Sequence, residues 1–223
     1  MRLQKKAMAK DFPEQVLSDK KQHIIHTAIE LFAEKGFDGS SIRDLAARAD
    51  VNVAMVNYYF GSKEKLFEAI VEYRASFMRG KLDEIQADKS MTEIEKIDAI
   101  IDNYVDKILA HPSFHRIMHQ ELLKRERETL HETIVRIFVR NTSVLHSIIE
   151  QGIRKKVFRK VDPELTMATL IGTINQVMLS KPLCCILVNN DPSFDPYTNV
   201  AFKNRLVKHL KLLMHSYLLA EKR

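Results

Sequence analysis

Three histidines, His111, His115 and His119, recur at i, i+4 spacing, the interval that puts two imidazoles on one helix face as a metal site needs. Pro112 stands inside the set and separates His111 from the helix that carries the other two. No cysteine lies nearby, exposed helical histidines are the plainer reading, and no metal is expected. Cys184 and Cys185 are adjacent, poorly placed to bridge to each other, and lie in the run LCCILV, where small buried thiols are inert. No Gly-rich phosphate loop or Ser-centred elbow is present, and His119 with Glu121 is the nearest approach to an acid/base pair. Catalysis is not expected and no cofactor is implied. A different chemistry resides in Arg43, Asn57, Tyr58, Tyr59 and Lys63, which are donors suited to base edges and phosphate oxygens.

The element that must position them is the stretch Ser41 to Ile70, SIRDLAARADVNVAMVNYYFGSKEKLFEAI. Ile42, Leu45, Ala46 and Ala49 recur at helical spacing behind Ser41, a good capping residue. Asp50 breaks the pattern. Val51 and Val56 then turn back to the first helix while Val53, Ala54, Met55 and Asn57 face elsewhere. Two short helices meeting at a tight turn, the second with a small-residue N-terminal face, have the geometry of a reader of the DNA major groove.

This segment resembles the helix-turn-helix of the tetracycline-repressor (TetR) family. Ser41, Ala46, Ala49, Val51, Tyr58, Tyr59, Phe60, Ser62, Lys63, Glu64 and Leu66 fall where that family's pattern expects them, and Ala28, Leu31, Phe32, Gly36 and Phe37 match its lead-in helix. The resemblance implies an all-α fold, with an N-terminal three-helix helix-turn-helix domain and a larger C-terminal helical domain for ligand binding and dimerisation. It also implies that Ser41, Arg43, Val53, Ala54, Met55, Asn57, Tyr58, Tyr59 and Lys63 contact double-stranded DNA at a palindromic operator. Arg43 would meet a guanine edge or a phosphate, Val53, Ala54 and Met55 thymine methyls, Asn57 an adenine, and Tyr58, Tyr59 and Lys63 phosphates. Asp50 stands where the family often has Gly, and Asn57 where it often has Tyr. These departures leave the operator sequence open.

Charge alone does not make the DNA argument. The chain of 223 residues has a net charge of +6, yet residues 19–66 hold seven basic and seven acidic side chains and are neutral. The division expected is a flexible basic arm over 1–18, a DNA-binding domain over 19–66 and a ligand-binding and dimerisation domain over 67–223. The arm is either a groove-following extension or a solvated tail. No apolar run approaches a membrane span of roughly 18 residues, and the N-terminal residues lack the apolar centre of a signal peptide. With 45% hydrophobic content and two cysteines without a disulfide pattern, a cytoplasmic protein with a sizeable core is expected.

The spacing predicts helices over 19–35, 42–49, 53–59, 62–86, 92–111, 113–127, 130–155, 163–187 and 198–221, with Gly36 closing the first in a left-handed cap. The stripe Leu66, Phe67, Ile70, Tyr73, Phe77 and Leu82 is expected to connect the DNA-binding head to the body. The last two long helices hold more apolar surface than one small body needs, and Ile171, Ile174, Met178, Leu206, Leu210, Leu213 and Tyr217 are expected at a homodimer interface. The resemblance implies a cavity for a small-molecule effector in the body, with Tyr104, Phe114, Met118, Leu122, Phe138, Asn175 and Met178 as lining candidates; each apolar member is also plain core material. The expected function is a DNA-binding transcriptional repressor released by an inducer. The alternatives are control by a protein partner and, remotely, a helical metal-binding protein or enzyme.

Overall fold

The computed structural model describes residues 14–124, 127–188 and 193–219. Among them are the helices α1 (Glu14–Lys35), α2 (Ile42–Arg48), α3 (Val53–Phe60), α4 (Lys63–Ala87), α5 (Glu93–Ala110), α6 (Pro112–Lys124), α7 (Glu128–Arg154), α8 (Pro163–Leu179), α9 (Lys181–Val188) and α10 (Val200–Leu218). The chain divides into a compact unit up to Val71 and a second from Glu72 onward. Of the expected N-terminal arm, residues 1–13 lie outside the described residues, and 14–18 already belong to α1. No described helix is long and apolar enough to cross a membrane.

The first unit is built on an apolar stripe of α1. Ile24, Ile25, Ala28, Leu31 and Phe32 are all buried, as are Leu45, Ala46 and Val56 of the next two helices. Three aromatic rings complete this core: Phe32 and Phe37 lie 5.4 Å apart, Phe32 and Phe67 5.8 Å, and Phe37 and Phe67 5.2 Å. Gly36 closes α1 at φ +74, a conformation with little penalty for a residue lacking Cβ.

The second unit centres on α5. Ile97, Ile101, Val105 and Ile108 recur at helical spacing and are essentially inaccessible, packed with residues of α7, α8 and α10. Asp98, Asp102 and Asp106 project at i, i+4, i+8 and meet His215 at 2.9 Å, Lys211 at 2.7 Å and Lys203 at 2.9 Å. The descending partner numbers make α5 and α10 antiparallel. Such surface pairs contribute little each, roughly 0–1 kcal/mol, so their value is in register. Gly152 on α7 is required by close approach, because a Cβ there would stand 2.1 Å from the Phe158 ring.

One helix is shorter than expected. The continuous helix over 163–187 is broken at Ser180 into α8 and α9. Pro182 has no N–H for the carbonyl of Met178 four residues back, and the Tyr197 hydroxyl donates to that carbonyl instead, at 2.8 Å. In α4 the buried run is Met78, Leu82 and Ile85, whereas Phe77 is 57% exposed; the stripe follows i, i+4 from Ile70 rather than from Tyr73.

The apolar surface of α8 and α10 is divided differently from expectation as well. Ile174, Met178, Leu206 and Leu210 are spent inside the chain's own core, because α10 must close over α5. Ile171 and Leu213 are half-buried, and Tyr217 is exposed. The exposed stripe of α8 is instead Leu165, Ala168, Thr169, Gly172, Gln176 and Leu179, and Leu212 is exposed on α10.

Candidate nucleic-acid interface

Ser41 caps α2 through a closed reciprocal pair. Its Oγ accepts from the Asp44 backbone N–H at 3.0 Å, and its own N–H donates to Asp44 Oδ2 at 2.9 Å. The Ser41 hydroxyl donates to that same oxygen at 2.6 Å, so both hydrogen-bonding roles of the hydroxyl are taken by the cap. These bonds, with Lys35 as a weaker contributor, lower the Asp44 carboxyl below its ordinary range. His23 Nε2 meets the Ala49 carbonyl at 3.1 Å and ties α1 to the end of α2.

The turn between α2 and α3 is a Schellman motif. Val51 N–H donates to the Ala46 carbonyl at 3.0 Å and Asp50 N–H to that of Ala47 at 3.4 Å. Asp50 takes the left-handed position at φ +51, which Asp tolerates better than most residues. The carbonyls that end α2 are thereby satisfied without glycine. Asn52 then caps α3, its side chain accepting from the Ala54 N–H at 2.8 Å.

Val56 and Phe60 anchor α3 inward, which leaves Ala54, Asn57 and Tyr58 exposed and Val53, Met55 and Tyr59 half-buried. Tyr58 is 69% exposed, its ring 5.5 Å from that of Tyr59 in an edge-on arrangement. Partial burial pushes the Tyr59 phenol up, so it remains a donor at neutral pH. No residue of α3 is charged.

The cations of this unit separate into occupied and available. Arg48 forks onto Glu34 at 2.5 and 2.7 Å and reaches Glu30 at 3.6 Å; it fastens α2 to α1. The Lys63 ammonium stands over the Phe37 ring, 4.3 Å from its centroid, a placement that holds it at the start of α4. Arg43 is exposed and makes no ion pair among the described residues. The structure thus brings Arg43, Ala54, Asn57 and Tyr58 out to solvent on α2 and α3 and assigns Ser41 to the cap.

In the second unit the lining candidates fall into two sets. Phe114, Met118 and Met178 are buried, and Leu122, Phe138 and Asn175 are half-buried. The Tyr104 phenol is pushed up to about 12 by burial. Sequence reasoning missed three polar groups. Arg74 Nε on α4, Asn103 Oδ1 on α5 and His131 Nδ1 on α7 are buried without a hydrogen-bond partner, as is Asn175 Oδ1 on α8. For Arg74 a signal was available: it falls four residues after Ile70 and four before Met78, in the buried stripe of α4. No described cluster of three His, Cys, Asp or Glu could hold a metal ion. Cys184 and Cys185 are buried, burial raises the Cys184 thiol, and the Cys185 thiol donates to the Phe194 carbonyl at 3.2 Å.

Residues 24–70 match the family described as bacterial regulatory proteins, tetR family, and residues 90–179 match the tetracyclin repressor-like C-terminal domain. The HTH-type transcriptional repressor NicS of Pseudomonas putida is 35% identical over 147 residues, which cover 62% of this chain and 66% of NicS. YttP of Bacillus subtilis, named a probable HTH-type transcriptional regulator, is 29% identical over 143 residues, covering 62% of this chain and 67% of YttP. The chain therefore spans about two thirds of the length of these relatives. Among solved structures, FadR from Bacillus subtilis in complex with stearoyl-CoA shares the fold at a TM-score of 0.66 and 22% identity, covering 85% of this chain and 96% of FadR.

Proposed function

Because the chain belongs to the tetR family of bacterial regulatory proteins, we propose that it is a sequence-specific DNA-binding transcriptional repressor, released when a small molecule occupies its helical body. The observation that carries the reading is α3: an uncharged helix presenting Ala54, Asn57 and Tyr58 to solvent, fixed at its start by the Schellman turn and the Asn52 cap. A face of this kind discriminates bases through an amide and small apolar contacts rather than through bulk charge. Arg43 and Lys63 flank it and supply positive charge toward the phosphates.

Two copies would read two half-sites about 34 Å apart, one turn of DNA. The stripe Leu165, Ala168, Gly172, Gln176 and Leu179 on α8, with Leu212 and Tyr217 on α10, supports a homodimer: it is exposed in the single chain and its small members admit close helix approach. The repressor reading draws on NicS, and the small-molecule reading on FadR, whose structure holds stearoyl-CoA. Such a protein works in the cytoplasm, beside its DNA.

Selection of bound fragments from random duplexes tests this directly. A palindrome with half-sites one turn apart is expected; active dimer that enriches no sequence would sink the reading.

A further inference from the structure

Arg74 interrupts an otherwise apolar stripe. Ile70 before it is fully buried and Met78 after it is 9% exposed. Its guanidinium lies over the Phe114 ring of α6, with Cζ 5.2 Å from the centroid, and its Nε is buried without a hydrogen-bond partner. Among the described residues no carboxylate pairs with it, and burial lowers its affinity for the proton. His115, edge-on to Phe114 at 5.6 Å, has Arg74, His111 and His119 for electrostatic neighbours and no acid among the described residues. The Asn175 amide of α8 lies beside His119.

Arg74 is half-buried, and a guanidinium with one N–H shut off from water and no anion beside it costs free energy. Such groups persist where a ligand completes them. Here the cation and two imidazoles lie beside apolar side chains, among them Phe114 and Phe138, whose ring is 5.9 Å from that of His119. We propose that this cluster is the polar end of the effector site and takes a small organic carboxylate on an apolar frame, with Arg74 as counter-ion and the N–H groups of His115, His119 and the Asn175 amide as hydrogen-bond donors. The inference rests on the body being an effector domain and adds the chemical class of the effector. A planar carboxylate accepts two parallel N–H bonds from a guanidinium, and the apolar frame is what the neighbouring rings bury. An amine of the same shape meets a like charge, and an amide forgoes the ionic bond.

The test uses the full chain with two matched sets of probes, benzoate, benzamide and benzylamine, and octanoate, octanamide and octylamine, followed by thermal unfolding and calorimetry. A carboxylate should raise the unfolding midpoint where its amide and amine do not. Arg74→Met should weaken that carboxylate at least about tenfold, and Arg74→Lys less. Free Arg74→Met should unfold at the same temperature as the parent or higher, since the arginine it removes has no anionic partner and methionine keeps an apolar contact with Phe114. The proposal is overturned if amides or amines stabilise equally, if neither carboxylate binds, if the carboxylate effect survives in Arg74→Met, or if free Arg74→Met unfolds several degrees lower. Binding of the selected operator, read by fluorescence anisotropy without any probe, reports separately on the DNA-binding function: operator bound with no carboxylate response defeats only the effector class.

Discussion

The Tyr197 hydroxyl donates to the backbone carbonyl of Met178 at 2.8 Å, the carbonyl that Pro182 leaves without its helical donor. One side chain therefore compensates for the break between α8 and α9. Tyr197→Phe should cost about 1–2 kcal/mol, the penalty of a buried acceptor left unpaired. A Pro182→Ala background restores a backbone N–H at that position, so the same change should cost less there. Urea unfolding of the four proteins gives the coupling; equal costs in both backgrounds would contradict the compensation.

Asp50 occupies a left-handed backbone position at φ +51, and its side chain is exposed. Glycine relieves the Cβ penalty there, offset by the greater freedom of the unfolded chain. Asp50→Gly should stabilise by about 0.5–1 kcal/mol in chemical unfolding, and Asp50→Val should destabilise by more than that, because a β-branched residue resists positive φ. Loss of stability in the glycine variant would mean that the Asp side chain has a further role.

Much of the first unit was legible because its signals are local. Caps, the tight turn and the 3.6-residue stripe of α1 are set within a few residues of each other, and the observed bounds of α2 and α3 differ from expectation by single residues. The second unit was less legible because its decisive contacts are distant in sequence. The break at Ser180 was signalled by Pro182, but the high apolar content of the region masked it. Whether Ile174 and Leu210 face a partner or their own α5 cannot be read from periodicity, which gives a face and not what covers it. Arg74 was passed over because a helix of 25 residues with many charges hides one that points inward.

The exposed stripe of α8 gives the dimer a specific test. Leu165 is 66% exposed and Leu179 44%, and a Cβ added at Gly172 meets nothing within 4 Å. Gly172→Arg and Leu165→Arg should leave the stability of the single chain within about 0.5 kcal/mol while shifting light scattering from dimer to monomer. Ile174→Arg, by contrast, should unfold the chain, since Ile174 is fully buried. A Gly172→Arg protein that remains dimeric at micromolar concentration would move the interface elsewhere.

The surroundings of His115 predict an acid limit to stability. Burial, with His119, Arg74 and His111 as neighbours, lowers its imidazole to about 3, against an ordinary value of 6.5. The folded chain therefore binds fewer protons than the unfolded chain between these values. Stability is fully present above pH 6.5 and declines as pH falls, by on the order of 1 kcal/mol between pH 6.5 and 5. His111 and His119, also lowered by burial, add in the same direction. His115→Gln should flatten this part of the urea-derived stability profile; an unchanged slope would assign the acid sensitivity to other groups.

Specificity and affinity should separate at the DNA face. Asn57 is exposed on the uncharged α3, and its amide matches the paired donor and acceptor of an adenine edge at about 1–3 kcal/mol of discrimination. Lys63, held over Phe37 at 4.3 Å, offers a point charge that reads no sequence. Asn57→Ala should relax preference at one position in each half-site and leave the salt dependence unchanged. Lys63→Ala should weaken all duplexes alike and lower the slope of log K against log salt by about one per site. Arg43, exposed and unpaired among the described residues, distinguishes two outcomes: a guanine contact makes Arg43→Ala behave like the Asn57 variant, and a phosphate contact makes it behave like the Lys63 variant. Anisotropy titrations of the selected operator and its single-base variants, each at several salt concentrations, decide among them. Equal loss of discrimination in the Asn57 and Lys63 variants would contradict the division of labour argued from the charge-free face of α3.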